Sequence, residues 1–347
     1  MESDDPMTKW SKDDIRTALK GCVDLVESEG AIRFQRMPSA TLAWYRNRSE
    51  FARARAESPA GMVLDLMTDT ATIAVEAKLE PGARGYAWID LYCDGLFVAT
   101  AGVTDPQDRL QAEFTVPGAV PGRKRRLQLY LPHTKILVLQ SLSLSAGCCW
   151  EPAPPRPLLL ALGDSITQGM DCRHPSLTYL MTAARLLDMD VLSQAVGGHI
   201  FAAESLPEKP TAAVDHILVA FGTNDWRGSR DPDEAGRYLE QVRRFYPDTL
   251  MTVLEPLWRD PVEGPQPQRN DLGLTLADYR RALRLLVPQG AKTSLVSRES
   301  LLPSEPGFFA DGVHPNTEGH LILGQSVAAT LSCLTAAACA RRGLESP

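Results

Sequence analysis

A serine acts as a nucleophile only with a base to take its proton, a group to orient that base, and fixed donors for the oxyanion that forms. Residues able to meet these needs fall in four short segments of this 347-residue chain. Gly163-Asp164-Ser165-Ile166-Thr167-Gln168-Gly169 offers a serine in a glycine-flanked turn. Ala195-Val196-Gly197-Gly198-His199 offers two glycines, where a backbone N–H can approach a ligand closely. Gly222-Thr223-Asn224-Asp225 offers a side-chain amide. Asp311-Gly312-Val313-His314-Pro315-Asn316 offers a carboxylate three residues before a histidine. On a turn, that spacing lets the carboxylate reach the ring Nδ1–H, which fixes the tautomer and leaves Nε2 free as a base. Each segment alone is also an ordinary turn. The serine segment lacks the glycine of a nucleophile elbow two residues on, and it lacks the Gly-Lys-Ser/Thr ending of a phosphate loop. No metal-ligand cluster competes with these segments, so neither a metal nor a cofactor is expected.

The elements around these segments set where they lie. Leu158-Leu159-Leu160-Ala161-Leu162, His216-Ile217-Leu218-Val219-Ala220-Phe221 and Leu250-Met251-Thr252-Val253-Leu254 are continuous apolar runs, as expected of strands buried on both faces of a parallel sheet. Helical periodicity falls between and after them, over Tyr179–Leu187, Asp233–Phe245, Leu276–Leu286 and Gly319–Leu334. Alternation of this kind predicts βαβ units with helices on both faces. Ligands of such sheets bind outside the carboxyl ends of the strands. All four segments should therefore meet at one edge.

The first half reads differently. Residues 11–28 read as a short capped amphipathic helix within an N-terminal segment, 1–29. From Ile32 to about Ala146 the period is mostly two: Ile73, Val75, Ala77 and Leu79 form one apolar row, and Leu127, Leu129 and Leu131 form another. Asp94-Gly95, between Trp88–Tyr92 and Leu96–Val98, is a strong hairpin signal. These features predict an all-β sandwich over 30–150. Four prolines in 151–157 read as a semi-rigid linker to a catalytic domain over 158–340.

Composition narrows the partners. The 36 basic and 43 acidic residues leave a net charge of −7, which argues against a dedicated nucleic-acid binder. No apolar run reaches the ~20 residues that span a bilayer, so no membrane partner is expected. The acidic start Met1-Glu2-Ser3-Asp4-Asp5 is not a secretory signal, and seven cysteines without C-x-x-C spacing read as reduced thiols. Together they predict a cytoplasmic protein, with homo-oligomerisation open.

In order and spacing, Gly163-Asp164-Ser165, Gly198, Gly222-Thr223-Asn224-Asp225 and Asp311-x-x-His314 resemble the four signature blocks of the SGNH (GDSL-type) hydrolases. The second block of that family usually opens on asparagine, where this chain has Ser193-Gln194-Ala195. The resemblance implies a three-layer α/β/α, flavodoxin-like domain behind a smaller, jelly-roll-like β-sandwich. It implies Ser165 as nucleophile, His314 as base and Asp311 as its partner. It also implies an oxyanion hole made of the Ser165 N–H, the Gly198 N–H and the Asn224 amide. A sandwich of this sort precedes some bacterial SGNH esterases, and Arg33-Phe34-Gln35-Arg36-Met37-Pro38 and Ile89-Asp90-Leu91-Tyr92 carry that likeness. The implied substrate is a small-molecule or oligosaccharide ester with a short acyl group; the alternatives are an acyltransferase using the same acyl-enzyme and an inactive carbohydrate-binding or scaffold protein. Asp164, His199, Trp226 and Arg227 are candidates to touch the substrate, through ring stacking or polar contacts. Asp164 and Asp225 are expected to hold their loops.

Overall fold

The computed structural model describes residues 7–206 and 213–344; the acidic start, 1–5, lies outside them. The chain begins with β1 (Met7–Lys9), α1 (Lys12–Ala18), β2 (Leu19–Lys20), β3 (Asp24–Ser28), β4 (Ala31–Gln35), α2 (Ser39–Arg48) and α3 (Glu50–Ala56). The expected helix over 11–28 is therefore corrected. Ser11 and Asp14 form a reciprocal capping box that starts α1, but the helix ends at Ala18. Beyond it, Asp24–Ser28 pairs antiparallel with Ala31–Gln35 across the Glu29-Gly30 turn. Both turn residues have positive φ, which favours a tight hairpin over further helix.

The sandwich continues with β5 (Val63–Thr68), β6 (Thr72–Glu80), β7 (Tyr86–Cys93), β8 (Leu96–Thr104), β9 (Arg109–Thr115), β10 (Arg125–Tyr130), β11 (Ile136–Ser145) and β12 (Trp150–Pro152). One sheet runs β3-β4-β11-β6-β9, with β1 on β11. The other runs β12-β5-β10-β7-β8, with β2 on β5. Every pairing in both is antiparallel. The period-two rows point inward: Ile73, Val75, Ala77 and Leu79 meet Ile89, Leu91, Leu127 and Leu129 in one core. Asp94-Gly95 turns β7 into β8, both residues having positive φ.

The second sheet is buried on its outer face too. There Val63, Tyr92 and Tyr130 share a cluster with Leu159, Tyr179 and Leu180 of the second half. The polar residues on that face are buried and paired. Asp65 receives Arg126 and Arg156, and Asp90 receives the Ser176 N–H and hydroxyl. The proline-rich segment expected as a spacer instead begins as an edge strand on β5. Ala153 donates to the Asp65 carbonyl, and Arg156 joins Asp65 to Asp190.

The second half follows with β13 (Leu158–Gly163), α4 (Ser165–Gln168), α5 (Tyr179–Leu186), β14 (Asp190–Ser193), β15 (His216–Ala220), α6 (Thr223–Arg227), α7 (Asp233–Phe245), β16 (Leu250–Leu254), α8 (Leu276–Leu286), β17 (Thr293–Val296) and α9 (Thr317–Leu344). Its sheet is wholly parallel, in the order β14-β13-β15-β16-β17. Residues of α5 and α9 pack one face, and residues of α7 and α8 pack the other. Successive strands leave β13 in opposite directions, so a crevice opens between the carboxyl ends of β13 and β15. The loops carrying Ser165 and Asn224 border it.

Candidate active site

Gly163 ends β13 where the chain must turn sharply: a Cβ there would lie 2.2 Å from Thr167 Oγ1. Asp164 then caps α4, its carboxylate accepting the Ile166 N–H at 3.0 Å. Asp164 also receives the Asn224 amide at 3.4 Å, and burial pushes its carboxyl up to about 7. Asp164, a candidate substrate contact, is thus buried and occupied by its own loop's donors. Ser165 stands at the first position of α4, with its hydroxyl toward the sheet's carboxyl edge.

His314 comes from the turn before α9. The Asp311 carboxylate accepts the backbone N–H groups of Val313 and His314, and the Ala310 N–H donates to the His314 carbonyl. This turn sets the ring between two partners. Nδ1–H donates to Asp311 Oδ2 at 2.8 Å, and the Ser165 hydroxyl donates to Nε2 at 2.8 Å. The tautomer follows from the network, since a carboxylate can only accept. Burial works against the Asp311 charge, but the His314 and Val313 donors outweigh it and hold the carboxyl below its ordinary value. The arrangement can move a proton from Ser165 to His314.

The donor side is set by the second loop. Gly197 donates to Gln168 Oε1 at 2.7 Å. Gly198 sits at φ +80°, in the left-handed region, and its N–H meets no protein acceptor among the described residues. The Ser165 N–H is likewise without one. Asn224 is anchored through Nδ2 to the His199 carbonyl at 3.0 Å. Gln194, in place of the family's asparagine region, donates its N–H to Ala161 and so continues the sheet's hydrogen bonding past β14. The turn is kept by the backbone instead.

Two candidate substrate contacts are corrected. His199 is 4% exposed; its ring packs against Trp44, Tyr45 and Phe221, and Nε2 meets the Ser205 hydroxyl at 3.1 Å. Burial pushes it down to about 3, so it stays neutral. Trp226 is 5% exposed, donates Nε1–H to the Leu274 carbonyl and packs with Val262, Leu276 and Tyr279. Helix α6 turns both its faces to use: Asn224 toward the crevice, Trp226 into the core. Arg227 remains exposed. Asp225 is buried and receives the Phe201 N–H at 2.9 Å, which supports a loop-holding part.

Sequence reasoning missed Asp171, Arg84 and Gln168. Asp171 Oδ2 lies 3.3 Å from His314 Nδ1 and is clamped by Arg84 of the sandwich. Only a residue contact between distant chain segments reveals this; no local pattern announces it.

Residues 161–322 match the family described as GDSL-like Lipase/Acylhydrolase. A GDSL lipase of Mycobacterium tuberculosis is 30% identical over 217 residues, which is 54% of this chain and 88% of that protein. Among solved structures, the salicylyl-acyltransferase SsfX3 from a tetracycline biosynthetic pathway superposes with a TM-score of 0.78 at 21% identity, covering 96% of this chain and 99% of that one. A family two carbohydrate esterase from Cellvibrio japonicus gives 0.60 at 16% identity, covering 95% and 97%. Both likenesses extend over the sandwich as well as the α/β half.

Proposed function

Since the chain belongs to the GDSL-like lipase/acylhydrolase family and is a carboxylic ester hydrolase, we propose that it works through Ser165, His314 and Asp311 on short acyl esters, acetyl esters of carbohydrates foremost. His314 Nε2 takes the Ser165 proton as Oγ attacks the ester carbonyl. The Ser165 and Gly198 N–H groups and the Asn224 amide receive the oxyanion. His314 returns the proton to the leaving alkoxide, and water, activated by the same ring, releases the acid from the acyl-enzyme. Asp311 holds the ring and offsets the imidazolium charge.

The reading rests on one observation: an unbroken chain from Ser165 Oγ through both ring nitrogens to Asp311, at 2.8 Å for each link. Support for a sugar ester comes from the likeness to a carbohydrate esterase. A panel of esters of rising acyl length, with acetylated sugars included, tests it. Ser165→Ala should lower turnover by about 10³–10⁶-fold, and acetyl esters should lead the panel. If no ester distinguishes wild type from Ser165→Ala, the reading fails. EDTA should leave the rate unchanged, because side chains and backbone amides supply every step.

The likeness to an acyltransferase favours a second reading, in which the same acyl-enzyme passes its acyl group to an alcohol. Product analysis with and without a sugar acceptor decides between water and alcohol. No helix among the described residues is long and apolar enough to cross a membrane.

A further inference from the structure

His314 Nδ1 faces two carboxylates. Asp311 Oδ2 accepts the N–H at 2.8 Å, and Asp171 Oδ2 lies 3.3 Å from the same nitrogen as an ion-pair neighbour. They differ in their settings. The Asp311 side chain is 48% exposed, whereas that of Asp171 is 19% exposed, so solvent screens the more distant charge less. Asp171 follows the end of α4, at φ +67°. Aspartate is among the non-glycine residues that adopt this left-handed conformation readily. Its carboxylate is held from the sandwich: Arg84, in the turn between β6 and β7, reaches both Asp171 oxygens in a fork, with Nε to Oδ1 at 2.6 Å. Arg84 Nη1 is in turn steadied by the Ala83 carbonyl at 3.0 Å.

We propose that Asp171 is a second orienting carboxylate for His314 and that Arg84 delivers it, so that the β-sandwich contributes a positioning residue to the reaction. Its part in turnover rests on the esterase reading above. The charge arithmetic explains why both are needed. A lone second carboxylate would put two negative charges beside the base and hold its proton too firmly. With Arg84 present, the net charge facing the ring is that of one carboxylate, while the Asp311 hydrogen bond and the nearby Asp171 charge fix its orientation. No new bond forms: the Ser165 proton still goes to Nε2, and the Nδ1 proton stays on the ring. Other charged or titratable groups near this centre are Arg259, after β16, which senses Asp311; Tyr86 of β7, which senses Asp171 and Arg84; Arg55 of α3, which senses Arg84; His133, which senses Asp171; and His320 of α9. His320 is kept neutral by burial, which pushes it down to about 4.

Five proteins test the proposal: wild type, Arg84→Gln, Arg84→Lys, Asp171→Asn and the Arg84→Gln/Asp171→Asn double variant, each assayed for kcat and KM against pH with a short-chain ester. Arg84→Gln should move the rising limb about one pH unit alkaline, and Asp171→Asn should move it acid by a similar amount. The double variant should return to within a few tenths of wild type. Asp171→Asn should also lower the kcat plateau several-fold with KM little changed. Arg84→Lys, which keeps the charge without the fork, should shift the limb less than Arg84→Gln. Singles that leave the limb in place, or move it in the same direction, overturn the proposal. Ring titration of His314 by NMR, assigned with His314→Asn, reads the same cycle without turnover. It therefore separates failure of this proposal from failure of the esterase reading.

Discussion

The Gly197 N–H ends on Gln168 Oε1, 2.7 Å away, and this contact joins the Gly197-Gly198 loop to the helix that carries Ser165. Gln168 uses its whole amide. Nε2 donates to the Arg55 carbonyl at 3.1 Å, to the Ser58 hydroxyl at 2.8 Å and toward the His133 carbonyl at 3.2 Å. The sandwich side and the catalytic loop are thus locked through one side chain, and the next N–H, that of Gly198, is left for a ligand.

Gln168→Ala should therefore do two kinds of damage. It strands the buried Gly197 N–H, at about 1–3 kcal/mol of stability. It also frees the loop that presents Gly198. Denaturant unfolding should show the loss of stability, and steady-state kinetics should show kcat falling at least tenfold with KM little changed. Retention of full kcat would separate Gly198 from the oxyanion.

Asn224 offers the cleaner test of that hole. Its Nδ2 is anchored by the His199 carbonyl at 3.0 Å and makes only a long contact, 3.4 Å, with Asp164. The second amide hydrogen can exchange that long contact for an oxyanion at little cost. Asn224→Ala should lower kcat by about 10²–10³-fold, the effect of deleting one such donor, while KM stays within a few-fold. A loss confined to KM would assign Asn224 to substrate binding instead.

Arg36 ties the two halves together without any carboxylate. Fully buried, its guanidinium donates to the carbonyls of Ser58, Ser193 and Arg55, each at 2.8 Å. Ser193 ends β14 of the catalytic sheet, whereas Ser58 and Arg55 belong to the first half. Burial without an acid pushes the Arg36 guanidinium down to about 10. Arg36→Met should strand three buried carbonyls and cost about 3 kcal/mol or more. Calorimetry should show both halves melting earlier in one transition. A separate early transition of the first half would mean that Arg36 is the main tie rather than one of several.

What could be read from the chain follows from how local each signal is. The strands β13, β15 and β16 declare themselves because burial on both faces requires unbroken apolar runs. The Asp311–His314 turn is legible because a three-residue loop closes on itself. The α2–α3 insertion, by contrast, is not: Arg46, Arg48, Arg53 and Arg55 interrupt any apolar stripe, and packing against Val196 of the other half supplies the order. Trp226 and His199 show another limit. Position in a loop at the sheet's edge does not say which way a side chain turns, and both turn inward. The Arg84–Asp171 clamp joins residues 87 positions apart, which no spacing rule reaches.

The inward turn of His199 has a consequence for acid stability. Its ring is neutral in the folded protein, with burial pushing it down to about 3, while an unfolded histidine titrates near 6.5. Below 6.5 the unfolded chain therefore binds a proton that the folded chain refuses. The contribution is fully present above 6.5 and is lost as pH falls toward 3, at about 1.4 kcal/mol per pH unit. Other groups, such as Asp164, titrate across the same range, so the absolute stability curve does not isolate the effect. The difference between wild type and His199→Gln does. Urea unfolding of both proteins at pH 7 and pH 5 should show the wild type losing about 2 kcal/mol relative to the variant over that interval. A difference that stays constant would mean that His199 takes up its proton in the folded state, and that the Trp44–Tyr45–Phe221 enclosure admits water.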